Sequence, residues 1–209
     1  MSIPSLIVRD AFRFLIPLLA AGAAAFWLQW IYAGVFLLLL GAFVAFFFRN
    51  PKRSIPPDPD VIVSPADGKV VQIERVGGVT RLSIFLSIFD VHVNRSPIGG
   101  RIEAIEYRRG KFKAAFNHAA SVENERNTIM VNDGRIKLVF TQIAGLIARR
   151  IVCWKAEGDL VRKGELVGLI RFGSRVDVLF PPGTEVTCAV GDAVRGGATA
   201  IGIIKQRNA

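Results

Sequence analysis

The chain changes pattern once. From Phe14 to Phe48 almost every position is apolar and no charged residue interrupts the run; from Val61 onward, short runs of Val, Ile, Leu and Phe are punctuated by Gly, Asp, Asn and Pro. A helix crossing the hydrocarbon of a bilayer needs about 20 apolar residues, so the first run is too long for a single crossing. Gln29 stands near its middle between Trp27 and Trp30, with Tyr32 just beyond, and amphipathic side chains of this kind favour the headgroup level. The pattern predicts a tight helical hairpin, roughly 14–28 and 31–48, within an N-terminal membrane-associated region 1–50. Whether it spans the bilayer or only embeds stays open, because its first half is short. The polar, proline-rich stretch that follows reads as a linker, 51–60.

Past residue 60 no long 3.6-residue period is visible, and apolar runs recur about every ten residues. Strands are predicted at Lys69 to Val76, Thr80 to Ile88, Arg101 to Tyr107, Thr128 to Asn132, Ile136 to Ile143 and Ile151 to Trp154. The dipeptides Asp67-Gly68, Gly77-Gly78, Gly99-Gly100 and Asp133-Gly134 separate them, as tight turns require. A repeat is also present: Gly158-Asp-Leu-Val-Arg-Lys-Gly164 is echoed by Gly191-Asp-Ala-Val-Arg-Gly-Gly197, each leading into an apolar run. Ser64-Pro-Ala-Asp-Gly-Lys69 supplies a similar corner. The expected fold of 61–209 is therefore mainly β, a compact barrel or sandwich with pseudo-symmetric hairpins like those of biotinyl and lipoyl carrier domains. Such a fold leaves function open.

Composition adds direction. With 51% hydrophobic and 21% charged residues, 209 residues suffice for one globular domain plus the apolar segment. The net charge of +10 fits either nucleic acid or an anionic membrane surface. No nucleic-acid motif accompanies the scattered basic residues, and Arg9, Arg13, Arg49, Lys52 and Arg53 flank the apolar run, so the membrane is the expected partner and nucleic acid is not. Positive charge at both ends of the hairpin places the domain on the cytoplasmic side of the cell membrane. Cys153 and Cys188 form neither a CxxC pair nor a zinc-like cluster, which points away from a metal site and from a disulfide framework.

The candidate chemistry centres on Arg171-Phe-Gly-Ser-Arg175, between the two repeat copies, where a strand would end and a small nucleophile would meet a glycine carbonyl. Gly-Ser alone is a common turn. Taken in order, however, Ser64-Pro-Ala-Asp67-Gly68, Phe85-Leu-Ser-Ile-Phe-Asp90-Val-His92, Asn124-Glu-Arg-Asn127 and Phe172-Gly-Ser174 resemble the motifs of the phosphatidylserine decarboxylases. The resemblance runs from about Pro51 to Lys205 and is to the short form of that family.

The resemblance implies a proenzyme whose Ser174 hydroxyl attacks the Gly173 carbonyl. The resulting ester eliminates to a β chain, 1–173, and a dehydroalanine that hydrolyses to a pyruvoyl group on an α chain, 174–209. The two chains would remain a heterodimer. The pyruvoyl ketone would take the amine of phosphatidylserine as a Schiff base and act as electron sink for loss of carbon dioxide, giving phosphatidylethanolamine with no metal and no external cofactor. His92 is the implied acid–base residue, read on a strand, and Asp67 its orienting or charge-stabilising partner, in the manner of a triad. His118 reads as a surface residue. Larger relatives carry a second histidine where this chain has Arg95, so His92 either serves both cleavage and decarboxylation or leaves Arg95 to hold the substrate's phosphate or carboxylate. Asn124 to Asn127 reads as a hydrogen-bonded loop near the site. Two alternatives stay open: a membrane-tethered adaptor with a lipoyl-like barrel, which would remain one chain, and a decarboxylase for an archaeal-type ether lipid with the same head group.

Overall fold

The computed structural model describes residues 6–110, 124–145, 150–171 and 174–205. They form two compact units, Met1–Lys52 and Arg53–Ala209, and the boundary falls inside the stretch read as a linker.

The first unit is the expected helical pair. After a 3-10 turn at Arg9–Ala11, α1 (Phe12–Trp27) and α2 (Ile31–Phe47) pack through small residues. Gly22, Ala25, Gly34 and Gly41 are buried, and a Cβ at Gly34 would lie 2.8 Å from the Phe26 ring. Gln29 takes φ 61° at the tip. At the open end Val8 donates to Phe48 O (3.1 Å) and Asn50 to Leu6 O (2.6 Å), so the chain enters and leaves side by side. Arg9–Trp27 is long and apolar enough to cross a membrane, and Ile31–Phe47 is shorter.

The second unit is built from strands: β1 (Val61–Val63), β2 (Gly68–Val76), β3 (Val79–Leu86), β4 (Val93–Arg95), β5 (Gly100–Arg108), β6 (Arg126–Asn132), β7 (Lys137–Ala144), β8 (Ile151–Cys153), β9 (Leu160–Val161), β10 (Leu166–Ile170), β11 (Ser174–Phe180), β12 (Thr184–Val186), β13 (Ala193–Val194) and β14 (Ala200–Ile204). Eight of them form a curled half-barrel in the order β13-β2-β3-β11-β7-β6-β5-β9, and two three-stranded sheets, β1-β14-β12 and β4-β10-β8, complete the fold. Alternate residues of the large sheet enter one core: Leu82, Ile84 and Leu86 from β3, Val176, Val178 and Phe180 from β11, Leu138 and Phe140 from β7, Ile129 and Val131 from β6. Each such side chain contributes roughly 1.5–3 kcal/mol when fully buried.

The pseudo-symmetry is deeper than the Gly-Asp repeat suggested. The two Gly-Asp corners supply β9 and β13, the two edges of the large sheet, and their bonds match. Asp159 Oδ2 accepts from Ala156 N at 2.9 Å and Asp192 Oδ2 from Ala189 N at 2.8 Å. Gly164 donates to Ser96 O and Gly197 to Ser64 O, both at 2.8 Å. Ser64-Pro and Ser96-Pro are likewise equivalent, each hydroxyl closing onto the carbonyl two residues on, at 2.6 and 2.7 Å. Each leads into a nine-residue strand that opens on glycine, Gly68 and Gly100, at φ 144° and 150°. A Cβ there would fall 2.1 or 2.2 Å from the carbonyl oxygen of Phe85 or Asn132, which only glycine avoids. One half is thus β4 to β10, continuous in sequence; the other joins β1 to β3 with β11 to β14. Ser174 is where the chain passes from one half to the other.

Candidate active site

Ser174 is the first residue of β11 and pairs in register with Leu86 at the end of β3 and Ala144 at the end of β7. It shares the core-facing alternation of Val176, Val178 and Phe180. Its side chain is fully buried, and its Oγ has no hydrogen-bond partner among the described residues. A buried hydroxyl without a partner costs free energy, a cost that Ser83 Oγ on the neighbouring β3 shares; Ser174 differs in standing at the start of its strand, directly after residue 173.

The neighbouring loops converge on this sheet end. After Leu86 the chain turns through Ser87 to Asp90; Ser87 N donates to Asp90 Oδ2 (2.7 Å) and Asp90 N to Ser87 O (3.1 Å). That turn delivers His92, which is 2% exposed. Its Nδ1 lies 2.9 Å from Asp90 O, and its carbonyl accepts from Ile170 N at 3.3 Å. Ile170 is the last residue of β10, four before Ser174, so the structure brings His92 to the segment that precedes the serine. The histidine sits in the loop directly ahead of β4 rather than on a strand as read from alternation: the β4–β10 pairing begins at Val93 opposite Leu169, and His92 adds only its carbonyl to that ladder.

A buried polar row underlies the site. Asn127 Nδ2 donates to Gln142 Oε1 (2.9 Å), and Gln142 Nε2 donates to Asn94 Oδ1 (2.8 Å); all three are at most 1% exposed. The row crosses from the large sheet to β4 and fixes the strand that follows His92. Asn124 Nδ2 donates to Ala144 O at 2.7 Å, beside Ser174 in the ladder. The Asn124–Asn127 segment therefore braces the site. Gln142 was not foreseen; its signal is a polar residue in the inward series Leu138, Phe140, Ala144.

Asp67 lies elsewhere in the cluster. Its carboxylate accepts from Arg53 Nη2 at 2.7 and 2.9 Å and from Gly196 N at 2.8 Å, and His92 is not among the partners seen for it in the described residues. Along β4 consecutive side chains leave on opposite faces. Asn94 turns to Gln142, whereas Arg95 turns to the Asp67 side and donates to Gly164 O at 2.9 Å. Burial, and then the neighbouring Arg53, pull the Arg95 guanidinium below its ordinary value, with Asp67 partly opposing them. On β11, Arg175 and Asp177 form a buried ion pair, Nε to Oδ1 2.9 Å, on the face opposite Ser174. Gly173 and His118 lie outside the described residues. Cys153 and Cys188 are free thiols.

Residues 40–202 match the family model described as phosphatidylserine decarboxylase, which makes the class a carbon–carbon lyase that removes carboxyl groups. Relatives named phosphatidylserine decarboxylase proenzyme match over most of their length. That of Solibacter usitatus is 48% identical over 93% of this chain and 95% of its own length. That of Carboxydothermus hydrogenoformans is 44% identical over 97% and 98%, and that of Desulfotalea psychrophila 47% identical over 80% and 82%. The chain belongs to the phosphatidylserine decarboxylase family.

Proposed function

We propose that the chain is a self-processing decarboxylase of phosphatidylserine that yields phosphatidylethanolamine and carbon dioxide. The observation that carries this reading is the buried hydroxyl of Ser174, without a hydrogen-bond partner among the described residues, at the junction of the two halves of the fold. In the proenzyme this hydroxyl adds to the carbonyl of residue 173, and the peptide nitrogen leaves as the ester forms. A pyruvoyl group derived from Ser174 fits the position: a small group there lies between the ends of β3 and β7, away from bulk water. Once formed, it supplies a carbonyl electrophile that accepts the electrons released with carbon dioxide. His92, held through Nδ1 by its own turn, moves protons during cleavage and turnover. Arg53 pairs with Asp67, and Arg95 lies close enough to feel both charges; two guanidiniums in one place suit a substrate phosphate or carboxylate. Asp67 then acts by setting that charge balance. The helical pair, with Arg9, Arg13, Arg49 and Lys52 at its open end and Trp27, Trp30 and Tyr32 exposed at its tip, fits a membrane anchor that keeps the catalytic unit on the cytoplasmic side.

The test is intact mass and denaturing electrophoresis of wild type beside Ser174→Ala and His92→Ala. Expected are two chains for wild type, the smaller blocked at its amino terminus by a ketone, one chain for Ser174→Ala, and slowed cleavage for His92→Ala. Active wild-type protein that remains a single unblocked chain refutes the reading.

A further inference from the structure

The search for surfaces that the reaction does not use leads back to the turn between β3 and His92. Its tip carries Ile88 and Phe89, 38% and 66% exposed, two apolar side chains presented to solvent within four residues of His92. The turn is not loose: the Asp90 carboxylate accepts from Ser87 N, Asp90 N donates to Ser87 O, and Phe89 N donates to Ser87 Oγ at 3.3 Å. Those bonds hold the tip outward while the preceding residue, Leu86, pairs with Ser174. Two arginines lie toward the same end of the fold. Arg171 follows the last residue of β10, and its amide donates to the carbonyl of Arg150, which precedes β8 and is exposed. By register, β8 and β10 meet at Ile151 and Ile170, so both arginines border the segment leading to Ser174. A hydrogen-bonded apolar tip with the exposed Arg150 toward the same end, on a chain of net charge +10, is the combination that settles at the headgroup boundary of an anionic bilayer, the apolar pair below the phosphates and basic side chains among them.

We infer that Ile88 and Phe89 dock the catalytic unit on the surface of an anionic phospholipid bilayer and thereby admit the lipid head group to the Ser174 end of the sheet. The occupant is a lipid surface rather than a second copy of the chain, since a net charge of +10 repels a second copy and draws the chain to an anionic bilayer. The inference rests on the lipid-decarboxylase reading, and two substrates separate the two.

The full-length protein is compared with Ile88→Ser/Phe89→Ser on vesicles containing phosphatidylserine and on short-chain phosphatidylserine dispersed as monomers. Removing two side chains from the interface is expected to lower kcat/KM on vesicles by about tenfold or more. Self-cleavage and kcat/KM on the monomeric lipid stay unchanged, Phe89→Leu retains most of the vesicle rate, and high salt weakens the wild-type preference for vesicles. Equal losses on both substrates, no loss on vesicles, or a change of oligomeric state in the variant would each overturn the docking role. A wild type that decarboxylates neither substrate would instead overturn the enzymatic reading.

Discussion

Replacing Gln142 by Leu removes the centre of the buried polar row while nearly preserving volume, and its cost can be worked out. Leucine cannot donate to Asn94 Oδ1 or accept from Asn127 Nδ2, the two bonds at 2.8 and 2.9 Å. Both partners are buried, so neither recovers water, and each orphaned group costs about 1–3 kcal/mol. The added apolar surface offsets part of this, leaving an expected loss of about 2–4 kcal/mol. The assay is urea unfolding in detergent, carried out in a Ser174→Ala background so that a single chain is followed. Thr141→Val, one position earlier on β7, is the control: Thr141 Oγ1 lies 3.1 Å from Thr128 Oγ1, half-buried, and its loss is expected to cost about 0.5–1.5 kcal/mol. In the Ser174 background Gln142→Leu also slows self-cleavage, because Asn94 follows His92 by two residues. Equal stability for Gln142→Leu and Thr141→Val, together with a wild-type cleavage rate, would refute the claim that the row positions the site.

Asp177→Ala leaves the Arg175 guanidinium, 3% exposed, without its paired carboxylate, and breaking a buried ion pair costs about 3–5 kcal/mol; a thermal melt showing less than about 1 kcal/mol would mean that the pair does not stabilise β11. Acid should weaken the catalytic unit through Asp133 and Glu165. Burial pushes both carboxyls up, but amide donors from Ile136 and Arg135 with the Arg135 guanidinium, and the Lys155 ammonium with the Arg162 amide, outweigh it and hold each below its ordinary value. Groups with a lowered folded pKa contribute stability that is present above the unfolded value, about 4, and lost as pH falls through the folded one. Asp133→Asn/Glu165→Gln should therefore show a shallower loss of stability below about pH 4.5, and an unchanged slope would exclude these two groups.

The helical pair and the longer strands were legible because their signals are local. An uncharged run from Phe14 to Phe48 is too long for one crossing and carries its break at Gln29, and alternation between turn dipeptides located β2, β3, β5, β6, β7 and β8 to within a few residues. β11 was hidden for a physical reason: Arg175 and Asp177 look like solvent-facing positions, yet they neutralise each other in a buried pair, so its alternation reads as broken. The second half of the pseudo-repeat was masked in the same way. Ser96-Pro-Ile-Gly-Gly matches Ser64-Pro-Ala-Asp-Gly, but Gly99 stands where Asp67 is, and the eye follows the charged residue. The relation of Asp67 to His92 could not be read from spacing, because it turns on which face of a three-residue strand carries Arg95.

That one copy of the corner carries aspartate and the other glycine is itself informative. The turn closes without a carboxylate, as Gly99 demonstrates, and the Asp67 carboxylate instead takes bonds from Arg53 Nη2 and Gly196 N. The same comparison explains why a cut before Ser174 would be tolerated. β11 lies between β3 and β7, β13 pairs with β2, and β14 pairs with β1, so the shorter chain left by such a cut would be bound through four ladders to the longer one. Separation would withdraw Val176, Val178, Phe180 and Ile201 from the core, at roughly 1.5–3 kcal/mol for each side chain. Losing the peptide bond at the junction exposes none of them. A fold in which one half is completed by a distant segment can spend the connecting bond on chemistry, because neither half relies on that bond to stay packed.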